Sequence, residues 1–186
     1  MAGLRGDRVS WRVITYRLAA DPSRHRVAIW RELRRLGAVP LQQGTWAVPQ
    51  GEPFDAGLAQ VIGQIEKAGG QPVVLTVADE EASNTQLEAL FTAQREEEWA
   101  EFVSDCGKYE AELAAEVAKG KLTLAELDEE EQSLERLRRW YRAIRGRDLF
   151  GAPGAVVAEQ RLKDAAEALE RFADLVYQAR EQGGGM

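Results

Sequence analysis

A chain of 186 residues and 20.7 kDa, 45% hydrophobic and 30% charged, is long enough for one ordinary hydrophobic core or two small ones. One cysteine, Cys106, excludes an intramolecular disulfide, and one histidine, His25, excludes a zinc cluster of Cys/His type and any site built on two imidazoles. The net charge of -7 excludes a uniformly basic surface, yet residues 1–50 hold nine arginines against Asp7, Asp21 and Glu32, a net +6, and Arg136 to Arg147 packs six arginines into twelve residues without a carboxylate.

From Ser10 to Leu18 the sequence is β-branched and aromatic, with Ile14, Tyr16 and Leu18 alternating against Val13, Thr15 and Arg17, which predicts a first strand. Asp21, Pro22 and Ser23 supply cap and first-turn chemistry, and Val27, Trp30, Leu33 and Leu36 then recur at helical spacing until Gly37. Val39–Gln42 and Thr45–Val48 predict a hairpin around Gln43-Gly44, after which Pro49 to Pro53 break the chain. Phe54, Leu58, Val61, Ile62 and Ile65 predict a second amphipathic helix ended by Gly69-Gly70, and Pro72 to Ala78 is an apolar run of strand length. That run is far shorter than the roughly twenty residues of a bilayer span, and Met1 to Asp7 lack the apolar stretch of a secretion signal, so a soluble cytoplasmic protein is expected.

The fold class is therefore α+β. Two crossover helices on one face of a four-stranded antiparallel sheet in the order β-α-β-β-α-β make the ferredoxin-like arrangement. Past it the apolar positions keep helical steps only, over Leu87 to Val117, Leu124 to Ile144 and Val157 to Val176. Three helices follow, separated by Gly120–Thr123 and by Gly146–Gly154, where Gly151, Pro153 and Gly154 forbid a continuous helix. The expected organisation is a ferredoxin-like domain at 10–80, a helical domain at 84–181 and a disordered tail at 182–186.

The segments IWRELRRLGA at Ile29 to Ala38, LQQGTWAVP at Leu41 to Pro49 and DLFGAPG at Asp148 to Gly154 together resemble the N-terminal domain of the chromate-resistance regulator ChrB. The resemblance implies a transcriptional regulator of bacterial chromate-efflux operons, relieved by chromate, whose full-length members carry a further C-terminal domain. The first 80 residues also resemble the central domain of the phenylacetate-degradation repressor and, more remotely, a small ferredoxin-like CRISPR-associated endonuclease. In that endonuclease family an aspartate near the end of the first strand helps hold a divalent metal across a dimer; the matching pair here is Tyr16-Arg17. A guanidinium cannot ligate a hard cation, which disfavours a metal-dependent nuclease.

On a helical wheel Arg24, Arg31 and Arg35 share a narrow arc, with Arg34 beside them and Trp30 and Leu33 opposite. Together with Arg17 they could contact the phosphates of operator DNA or a dianion such as chromate or sulfate, although a plainly solvated helix face is the favoured explanation of the strip. Arg138, Arg142 and Arg145 form a second basic stripe, for which pairing with Glu96, Glu97, Glu98 and Glu101 on a neighbouring helix is the favoured explanation. Phe150 to Gly154 is expected to be a Gly/Pro corner between helices, Cys106 a small hydrophobe in a core, and His25 a surface residue. The tryptophans are expected mostly in the core or at the seam between the segments. No catalytic residue, metal site or cofactor is expected. The expectation is a non-enzymatic regulator or accessory protein of chromate resistance acting as a homodimer without a membrane partner; the alternatives are a metal-dependent nuclease on the ferredoxin-like dimer and an oxyanion-binding protein.

Overall fold

The computed structural model describes residues 9–19 and 23–183; Asp21, Pro22 and residues 184–186 of the expected tail lie outside the described residues. The elements run β1 (Trp11–Thr15), α1 (Ser23–Leu36), β2 (Val39–Gln42), β3 (Thr45–Pro49), α2 (Phe54–Lys67), β4 (Val73–Thr76), α3 (Glu81–Lys119), α4 (Leu124–Arg147) and α5 (Gly154–Gly183). The protein is α+β, with four antiparallel strands and five helices among the described residues. Gln182 and Gly183, expected in the tail, belong to α5. The chain divides into two compact units, one up to Phe91 and one from Thr92, so that the division falls inside α3.

In the first unit the strands pair antiparallel in the order β2-β3-β1-β4. Ile14 lies opposite Trp46 and Val74, and Arg12 opposite Val48 and Thr76, so these alternate residues share one face of the sheet. Ile14, Trp46 and Val48 on that face are buried, as are Ile29 and Leu33 of α1 and Phe54, Leu58, Val61 and Ile65 of α2. Arg12 reaches Asp55 of α2 at 2.9 Å from the same face. At the far end, Phe91 of α3 meets Trp11 edge-on with ring centroids 5.8 Å apart and Phe54 at 6.3 Å.

Three details differ from the sequence pattern. The first strand stops at Thr15, three residues short of expectation, because the β2–β3 turn closes over its end: Tyr16 N–H donates to the Gly44 carbonyl at 2.9 Å. Gly44 has φ 73°, and an added Cβ would sit 2.6 Å from the Tyr16 carbonyl oxygen, so only glycine fits this turn. Helix α1 is rolled relative to its expected apolar stripe: Ile29 and Leu33 are buried, while Val27 and Trp30 are 42% and 50% exposed. The roll sets Leu36 against Gly57 of α2, where a Cβ would overlap its side chain. Finally, β4 is only four residues long and all four are exposed at the edge of the sheet.

The second unit has one apolar core to which three helices contribute, including Phe102 and Leu113 from α3, Leu134 and Ile144 from α4, and Phe172 and Val176 from α5. Ala158 and Ala165 on α5 are fully buried, which lets that helix approach closely. Thr123 caps α4 by accepting from the Glu126 N–H at 3.2 Å, just past Gly120 with its φ of 72°. No described helix is long and apolar enough to cross a membrane.

Candidate functional site

Where β1 ends, α1 begins and the β2–β3 turn folds back, the first unit opens into a cleft of about 1050 Å³. Its charged lining residues, among those described, are Arg17 and Arg26, and no carboxylate joins them. Ser23, the first residue of α1, also lines it, and the first turn of that helix carries no acid. Aromatic surface comes from Tyr16, Trp30 and Trp46, and amide side chains from Gln42, Gln43 and Gln71. The buried Trp46 indole N–H donates to the Tyr16 hydroxyl, but burial outweighs that bond and pushes the phenol up from its ordinary value, so Tyr16 stays neutral at physiological pH. The indole of Trp30 stands half exposed, with the Arg34 guanidinium 5.8 Å from its ring centroid. The cleft therefore sets two guanidinium groups beside flat aromatic surface.

A family model described as the N-terminal part of protein ChrB matches residues 26–183. The chain belongs to the ChrB N-terminal family. Membership associates it with chromate resistance. No curated protein and no solved structure matches the chain. The family match begins at Arg26, so Arg26, Trp30, Trp46 and the three cleft glutamines fall inside it, whereas Tyr16, Arg17, Ser23 and Arg24 precede it.

In this ChrB-family chain the arginines singled out by sequence go to different places. Arg17 lines the cleft; Arg34 lies over Trp30; Arg35 donates two hydrogen bonds to Glu32 Oε2, at 2.7 and 2.9 Å. Arg24 is exposed on α1, and Arg31 borders a smaller hollow of about 420 Å³ with the half-buried His25, Gln64 and Lys67. Arg138, Arg142 and Arg145 belong to the second unit. Arg142 and Arg138 reach Glu135 of their own helix at 2.9 and 3.8 Å, and not the glutamates of α3 as expected. Those glutamates are engaged otherwise: Glu98 holds Arg95 and Arg147 at 3.2 and 2.9 Å, and Glu96 accepts from the Gly154 N–H at 2.8 Å. Arg145 lies close enough to Tyr141 and Glu159 to bias their protonation.

The DLFGAPG segment of the family forms the α4–α5 corner. Asp148, buried, accepts from Trp99 Nε1 at 3.1 Å and from the Gly151 and Ala152 N–H groups at 3.1 Å. Gly154 leaves little room for a side chain, since a Cβ would lie 2.9 Å from Glu96 Oε2 and 3.0 Å from Trp99 Cβ, so the Glu96 carboxylate would have to shift. The hydrogen bonds of Asp148 and Gly154 tie this corner to itself and to α3, and the loop joins α4 to α5 as expected. Cys106 is fully buried, and burial pushes its thiol up to about 11, so it is held as the unreactive thiol. Sequence spacing did not single out Arg26, Tyr16 or Trp30 as partners, because their convergence depends on the end of β1 meeting the start of α1.

Proposed function

We propose that this chain is a cytoplasmic transcriptional regulator of bacterial chromate resistance that works as a homodimer, without catalysis, and binds operator DNA through the basic face of α1 and the cleft beside it. The observation that carries the reading is the cleft itself: two guanidiniums and a helix N-terminus without a carboxylate among the described lining residues, in a chain whose net charge is -7. Arg24, Arg31 and Arg34 extend the positive surface along α1, and family membership supplies the chromate-resistance context. The element order together with the strand order β2-β3-β1-β4 supports a ferredoxin-like first unit. The uncharged, exposed edge strand β4 supports pairing of two copies.

A mobility shift on the promoter of the chain's own operon tests this. Wild-type protein should retard the fragment, and replacing Arg17, Arg24, Arg26, Arg31, Arg34 and Arg35 by glutamate should abolish the shift. A shift that survives those substitutions would remove DNA contact from this face. The oxyanion-binding alternative draws on the same guanidiniums and makes chromate or sulfate the ligand. The nuclease alternative finds no carboxylate to draw on among the described residues of the cleft.

A further inference from the structure

We infer that the cleft beside α1 accepts a phosphate-bearing aromatic base, as a free nucleotide or as an unpaired nucleotide of a nucleic acid, in preference to a bare tetrahedral oxyanion. The inference rests on the anion-site reading above and narrows its ligand. Size is the first argument. A cleft of about 1050 Å³ lies at the upper end of pockets that enclose ligands of drug size, whereas a tetrahedral anion of five heavy atoms would leave most of it to water. Chemistry is the second. Arg17, Arg26 and the start of α1 at Ser23 provide the positive charge a phosphate needs. Much of the remaining wall is apolar or aromatic, from Val27, Trp30, Pro40 and Trp46, and gains nothing from a small, strongly hydrated dianion.

Trp30 is the third and most specific argument. It is the most exposed tryptophan of the described residues and has rolled away from the apolar stripe in which its spacing would bury it. A half-exposed indole that lines a positively charged cleft presents the flat surface on which a base stacks, and stacking of this kind tolerates any base. Gln42, Gln43 and Gln71 each offer both donor and acceptor, the pattern suited to the edge of a base, and none carries a charge that would oppose the phosphate.

Calorimetric titration of the full chain at low salt, with 5′-mononucleotides, inorganic phosphate and sulfate as separate probes, tests the inference. The expected result is at least tenfold tighter binding of mononucleotides than of phosphate or sulfate. Trp30→Ala should erase that preference while retaining the weak phosphate heat, Trp30→Phe should restore most of it, and Arg17→Gln with Arg26→Gln should lose both. A short single-stranded oligonucleotide binding more tightly than the mononucleotides assigns the site to nucleic acid; the reverse order assigns it to free nucleotides. Equal affinity for nucleotide and phosphate, no binding of nucleotide, or a preference unchanged in Trp30→Ala would overturn it. Nucleotide binding by a protein that fails to shift its promoter would retire operator recognition and leave this inference standing, so the two failures are distinguishable.

Discussion

Asp148 concentrates more structural duty than any other polar residue of the α4–α5 corner. One carboxylate takes an indole N–H and two backbone N–H groups, all at 3.1 Å and in a buried setting, so its loss leaves three donors without a partner. Asp148→Ala should lower stability by about 3 kcal/mol, or roughly 6–12 °C in Tm, and Asp148→Asn by clearly less because an acceptor remains; thermal unfolding followed by circular dichroism measures both. Glu130 presents the opposite situation. Burial, and then the like charges of Glu112, Glu116, Glu126 and Glu129, push its carboxyl up, and its Oε2 has no hydrogen-bond partner. A carboxyl whose folded value is raised contributes stability that is complete below the unfolded value and is lost as pH rises through the folded one. Glu130→Gln should therefore raise Tm by about 2–4 °C at pH 7–8, on the order of 1 kcal/mol, and the gain should vanish below about pH 4. An equal gain at both pH values would remove this account of Glu130. Neither residue's role was legible in the sequence: a lone Asp before a Gly/Pro loop and a Glu within an acidic run look like solvated charges until tertiary packing encloses them.

At the scale of elements, α3, α4 and α5 were legible because long runs at helical period, with the lone Gly107 tolerated inside α3, are broken by loop-forming stretches at two places, and the observed gaps lie at Gly120–Thr123 and after Arg147. The roll of α1 was not. Val27, Trp30, Leu33 and Leu36 satisfy helical spacing as well as Ile29, Leu33 and Leu36 do, and spacing alone does not choose between two stripes that share Leu33 and Leu36; the fold buries Ile29 and leaves Val27 and Trp30 exposed. Strand β4 was legible as a strand but not as an exposed edge, since an apolar run of this length suits both positions. Val73 and Leu75 are 50% and 56% exposed, and no charged residue occurs between Lys67 and Asp79, so the edge lacks the charges by which monomeric sheets discourage pairing. Light scattering at tens of micromolar should accordingly give twice the chain mass for wild type and a monomer for Leu75→Lys. A monomeric wild type, or a dimer untouched by the lysine, would place the contact between copies elsewhere or remove it.

For the molecule as a whole, charge separates along the chain: residues 1–50 carry +6, which leaves -13 for the rest. The family match covers residues 26–183 and so spans both units, yet Arg17 of the cleft lies before it. The cleft was half legible in the sequence. Arg17 stood out as a guanidinium at the end of a strand, whereas Arg26 fell outside the arc of Arg24, Arg31 and Arg35 and joined the site only through folding. Among the arginines, the pair in the cleft is thus the part of the account on which anion recognition most depends. The most direct test is the salt dependence of promoter binding by wild type and by Arg17→Gln/Arg26→Gln. Each phosphate contact contributes about 0.9 to the slope of log K against log salt, so the double variant should bind more weakly with a slope shallower by about 2 for each chain engaged. A variant whose affinity and slope match those of wild type would contradict the central claim that this cleft is where the protein holds its anionic partner.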